Sequence, residues 1–165
     1  MENKIKIEDL NNSHSKAILG LILPIQQIEF NVPVTLEDQP DLLDIELFYT
    51  NEGGFWGAFI NGNLVGTIAL IDTGHRAGVI RKMFVKKEFR GKEFLISQQL
   101  FDTLKKYCLQ KQIDHLYLGT VDILKAAHRF YEKNGFERLT KKQLPDYFPH
   151  MTGENVYYHL QINKV

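Results

Sequence analysis

The 165-residue sequence predicts an α+β fold: one mixed, mostly antiparallel sheet with a βαβ unit at its centre. Three stretches carry that expectation. Phe55–Ile60 and Leu64–Ile71 flank Asn61-Gly62-Asn63, and the Asn-Gly pair supplies the positive φ angles of a tight hairpin. Val79–Val85, rich in apolar and β-branched residues, reads as a strand that enters the cationic turn Lys86–Lys92. Beyond it the period changes from 2 to that of a helix. His115–Gly119 is a short strand that a helical crossover places parallel to Val79–Val85.

The remaining elements follow in order. Lys4–Glu8 alternates polar and apolar residues, as a half-buried strand does. Asn11, Asn12 and Ser13 are N-cap candidates for a helix carrying Ala17, Ile18, Leu21, Ile22, Ile25 and Ile28, with a kink or break at Pro24. Phe30–Val34 reads as a connector. Pro40 in a first turn, capped by Asp38 or Gln39, starts a second helix through Leu42, Leu43, Ile45, Leu47 and Phe48, which Glu52-Gly53-Gly54 stops. Asp72-Thr73-Gly74 turns the hairpin into the central strand. Leu100, Phe101, Leu104 and Cys108 mark the buried face of the central helix. Asp122 is the candidate cap of a helix carrying Leu124, Ala127, Phe130 and Tyr131, ended by Asn134-Gly135. Phe136–Leu139 and Asn155–Ile162 supply the last strands, around a loop holding Pro145 and Pro149.

Composition narrows the function classes. The length fits one domain, 1–165, with a real core. Lys+Arg and Asp+Glu are both 20, so bulk charge advertises neither nucleic acid nor an anionic membrane. The single cysteine, Cys108, excludes an intramolecular disulfide and sits on an apolar helix face, which suits a buried thiol better than a nucleophile. The histidines lack metal-ligand spacing, and no metal is expected. No apolar run approaches bilayer length and no signal-type segment follows Met1, so the expectation is a cytoplasmic protein.

Local chemistry points to the turn. A strand feeding a basic, glycine-containing turn into a helix N-terminus suits an anion, because the first helical N–H groups lack intrahelical partners. Arg90 and Lys92 add charge there, and Gly91 permits close approach of a ligand. The same residues also suit a solvated basic turn. A nucleotide site is disfavoured, since neither a Walker-type Gly-Lys-Ser/Thr nor a Gly-x-Gly-x-x-Gly run is present.

Two motifs in the expected order, Phe89-Arg90-Gly91-Lys92 after Met83-Phe84-Val85 and the run AAHRFYEKNGF from Ala126 to Phe136, resemble the GNAT superfamily of N-acetyltransferases. The resemblance implies an α/β/α sandwich with splayed central strands. It implies acetyl-CoA as cosubstrate, its pyrophosphate on the amides of Arg90, Gly91, Lys92, Glu93, Phe94 and Leu95, and its pantetheine along Met83, Phe84 and Val85. Backbone N–H of Phe84 or Val85 would polarise the thioester carbonyl, and Tyr131 would protonate the departing thiolate. The acceptor would be a small-molecule or peptide amine, attacking directly. The early helices, with Gln26, Glu29, Gln39, Asp41 and Tyr49, would build its pocket; Glu29, Glu46 and Asp72 are candidate general bases. Homodimerisation, common in the family, is a further expectation. A catalytically silent module that binds CoA or acyl-CoA is the alternative. Its support is the departures from the family pattern: Glu93 and Leu95 stand where small residues are usual, and Leu124 stands where asparagine is frequent.

Overall fold

The computed structural model describes residues 4–50, 53–92 and 94–162. Glu52, expected to help end the second helix, and Glu93 lie outside them. A seven-stranded sheet runs in the order β1-β2-β3-β4-β5-β7-β6. Its strands are β1 (Ile5–Asp9), β2 (Gly54–Ile60), β3 (Asn63–Asp72), β4 (Ala77–Val85), β5 (His115–Thr120), β6 (Glu137–Leu139) and β7 (Val156–Gln161). Only the β4–β5 pair is parallel among these neighbours. The hairpin turns on Asn61 and Gly62, at φ 52° and 80°, as the Asn-Gly pair requires.

Helices α1 (Ser15–Pro24), α2 (Ile96–Gln110) and α3 (Lys125–Lys133) cover the sheet. Period-2 alternation divides the core between its faces. Phe55 and Ala69 pack with Ile18, Ile22 and Leu42 on one side. Trp56, Ile68 and Leu70 pack with Leu100, Phe101, Leu104 and Cys108 on the other. Cys108 is fully buried, and burial pushes its thiol up to about 12, which fits the structural role.

The break expected at Pro24 is present, whereas the second expected helix needs correction. Pro24 lacks an N–H, and beyond it the ladder widens into a π turn over Ile25–Glu29 instead of continuing as α-helix. The second expected helix is a 3₁₀ turn, Pro40–Leu43, followed by a π turn, Glu46–Thr50. Asp44 breaks it: its backbone leaves the helical region, at φ −151° and ψ 78°, and its carboxylate accepts the N–H of Leu47 as a fresh cap. Asp38 does not cap there but accepts from Thr35. Likewise α3 starts at Lys125, with Leu124 rather than Asp122 at the N-cap position.

The centre of the sheet is open. β4 and β5 pair only along Ala77–Ile80 and His115–Leu118. Between the Thr67–Phe84 and Ala69–Arg81 pairs of β3 and β4, the extra residue of a β-bulge enters β4, and Lys82 there has φ 52°. Beyond the bulge β4 turns away from β5, so the side of Met83–Val85 facing away from β3 has no strand partner among the described residues. That gap is the splay the resemblance implies.

Candidate active site

A cavity of about 330 Å³ fills this gap. Met83, Phe84 and Val85 form one wall, Arg90, Gly91, Lys92 and Leu95 its mouth, and Ala127, Phe130 and Tyr131 the wall opposite. Ser97 and Gln98, in the first turn of α2, also line it. Among the described residues no side chain caps α2, which leaves its first-turn amides for a ligand. Leu95, the N-cap residue, is left-handed at φ 50°. A glycine there would remove the Cβ strain of that conformation.

Of the expected cofactor contacts, Phe94 is not in the lining; it packs edge-on against Phe89, centroids 5.3 Å apart. Arg90 is not an uncommitted cation. Its Nε donates to the carbonyl of Val85 at 2.7 Å, and its terminal nitrogens make a bidentate pair with Glu29. The guanidinium holds the Glu29 carboxyl below its ordinary value, against a smaller opposing effect of burial. Tyr131 is 6% exposed, and burial, with a smaller contribution from Tyr158, raises its phenol well above the ordinary value. It therefore stays protonated across the physiological range.

A second cavity of about 130 Å³ lies beside the first, and Phe30, Phe84 and Leu124 line both. Its polar lining comes from Gln26, Asp38, Gln39, Arg81, Lys82 and Glu154, with Thr120 and Thr152. Gln26 and Gln39 exchange amide hydrogen bonds at 2.8 and 3.0 Å. The Lys82 ammonium, 5% exposed, donates to Gln39 and lies 3.5 Å from Asp41. Burial lowers the Lys82 pKa and the Asp41 carboxylate opposes that. Asp41 also accepts from the Tyr49 hydroxyl, whose pKa is raised by burial and then by Asp41. Glu154 takes the N–H of Met151 at 3.1 Å, and burial raises its carboxyl.

The expected acceptor residues are distributed unevenly. Gln26 lines the smaller cavity. Tyr49 is buried behind it on Asp41, and Glu29 is in the Arg90 pair. Asp72 accepts the Gly74 N–H in its own turn, and Glu46 accepts from the Asn12 N–H. Arg81, Lys82 and Glu154 were not anticipated. Two signals could have found them: adjacent cations inside an otherwise apolar strand, and a glycine inside β5. A Cβ on Gly119 would stand 2.5 Å from the Glu154 Cδ, so this glycine makes room for a carboxylate.

A sheet parted at a bulge, with a helix N-terminus at the mouth and a buried tyrosine opposite, leaves a cleft between two strands whose shape and dipole suit an extended anionic ligand. The profile of the acetyltransferase (GNAT) family matches residues 21–136, and the chain belongs to that family. An acetyltransferase of the GNAT family from Staphylococcus aureus Mu50 superposes with a TM-score of 0.93 at 38% identity, covering 97% of this chain and 100% of that one. An acetyltransferase from Streptococcus agalactiae 2603 gives 0.91 at 27% identity, over 96% and 98%. N-acetylaspartate synthetase of Danio rerio is 34% identical over 116 residues, which are 68% of this chain and 40% of that protein. The match thus covers less than half the length of that relative.

Proposed function

We propose that this chain is an acetyl-CoA-dependent N-acetyltransferase acting on a primary amine that enters through the smaller cavity. One observation carries the reading: the larger cavity follows the free side of Met83–Val85, runs to the α2 N-terminus, and has Tyr131 in its wall. The residues present fit the cosubstrate. The first-turn amides of α2 and Lys92 would hold phosphates, and the Met83–Val85 backbone would hold the amide-containing arm. When bound, acetyl-CoA supplies an acetyl thioester. Phe84, shared by both cavities, places the acceptor beside it. The N–H of Phe84 or Val85 would polarise the thioester carbonyl, and Tyr131 holds the proton for the departing sulfur.

Calorimetric titration tests this reading. Acetyl-CoA is expected to bind with a Kd of about 10 μM, in the range typical of enzyme substrates. Arg90→Ala should weaken binding roughly tenfold by freeing the Glu29 carboxylate at the mouth. Absence of binding at millimolar acetyl-CoA and CoA would overturn the proposal.

A further inference from the structure

The smaller cavity carries opposite charges that do not satisfy one another. Arg81 and Glu154 both line it and each feels the other's field, but neither belongs to an ion pair among the described residues. One terminal nitrogen of Arg81 donates to the Pro149 carbonyl, while its buried Nε has no hydrogen-bond partner there. The guanidinium also reaches the Tyr49 hydroxyl, and the remaining donors among its five N–H groups, at the cavity wall, suit a ligand carboxylate. The neighbouring charges are already engaged: Lys82 with Gln39 and Asp41, and Asp38 with Thr35. Glu154 faces Arg81 and Lys82 from β4 and His150 from the preceding loop, and the Met151 N–H engages only one of its carboxylate oxygens, which leaves acceptor capacity over Gly119 among the described residues. The cavity, about 130 Å³, is well below the roughly 300 Å³ at which drug-sized pockets begin.

We propose that the acceptor is a small zwitterion, a free α-amino acid or close analogue, with its carboxylate on Arg81 and its amine on Glu154. The proposal rests on the acetyltransferase reading. Glu154 takes one proton from the ammonium. The nitrogen lone pair then forms the C–N bond as the C–S bond of the thioester breaks. Tyr131 protonates the departing thiolate and is restored by the second proton lost from nitrogen, so the products are the N-acetyl compound and the free thiol.

The test uses the full chain with acetyl-CoA and three probe sets: the proteinogenic L-amino acids, their α-carboxamides, and putrescine. Free thiol and acetylated product are both measured. At least one amino acid is expected to be acetylated, with kcat/KM at least about 30-fold above its carboxamide, the low end for losing one partner of a desolvated charged hydrogen bond. Arg81→Gln should collapse that ratio to within about threefold through KM, and Arg81→Lys should give an intermediate ratio, since it keeps charge but loses the fork. Glu154→Gln should lower kcat and remove the acid limb of the pH profile. Equal use of acid and carboxamide, a preference for putrescine, or a ratio untouched in a folded Arg81→Gln would overturn the zwitterion assignment. Acetyl-CoA binding without turnover of any probe would overturn it as well, leaving the acetyltransferase reading in place. Failure to bind acetyl-CoA would remove both.

Discussion

Tyr131→Phe is expected to lower kcat by roughly 100-fold, the lower range for removing a positioned general acid, while acetyl-CoA affinity changes less than about twofold. The phenyl ring keeps the packing of Tyr131 against Phe136 and Tyr158, at centroid distances of 5.6 Å in both cases, so the fold should persist. What is lost is the proton. Burial holds the phenol above its ordinary value of 10.0, so ionisation of Tyr131 should produce no fall in rate up to that pH. Rate measurements with acetyl-CoA and the best acceptor, alongside calorimetry, separate the two quantities. An unchanged kcat, with chemistry shown to be rate-limiting, would remove Tyr131 from the reaction.

Asp41→Ala is expected to destabilise the protein by about 3–5 kcal/mol, because it leaves the Lys82 ammonium in a buried site without its carboxylate. The Tyr49 hydroxyl loses its acceptor at the same time. For a chain of this size the melting temperature should fall by about 10 °C. The pH dependence has a definite sign. Burial already lowers the Lys82 pKa from its ordinary value of 10.5, and without Asp41 it falls further. Between the folded value and 10.5 the unfolded chain holds a proton that the folded one does not, so stability rises with pH across that window. The deficit of Asp41→Ala should therefore shrink toward alkaline pH. Combining Asp41→Leu with Lys82→Met should return the protein to within about 1 kcal/mol of its parent, since both charges leave together. Thermal melts at neutral and alkaline pH measure each of these quantities.

The fold was legible wherever a local rule decides the outcome. Asn61-Gly62 has essentially one short reversal available, the spacing of Leu100, Leu104 and Cys108 has one helical reading, and both elements are where they were expected. The segment from Pro24 to Thr50 was legible in its apolar content but not in its geometry. Whether Asp44 extends a helix or restarts it depends on Asn12, more than thirty positions earlier, which donates to that carboxylate. The larger cavity is lined mainly by two motifs, each of which is contiguous in sequence and readable by itself. The smaller one joins Gln39 and Asp41, Arg81 and Lys82, and Glu154, and no local period links those positions. Arg90 shows the same limit: its charge was evident from sequence, but its commitment to Glu29, 61 positions away, was not.

The short parallel register between β4 and β5 has a mechanical consequence. Among the described residues, Ala77–Ile80 and His115–Leu118 are the only strand pairs that join one leaf of the sheet, β1 to β4, to the other, β5 to β7. Each leaf has its own antiparallel ladder, so amide protection should fall into two groups that open separately. A ligand lying in the parting would act as mortar between the leaves. Saturating acetyl-CoA should then raise hydrogen-exchange protection in both groups together, and the cosubstrate would serve as a tie in the architecture as well as a reactant.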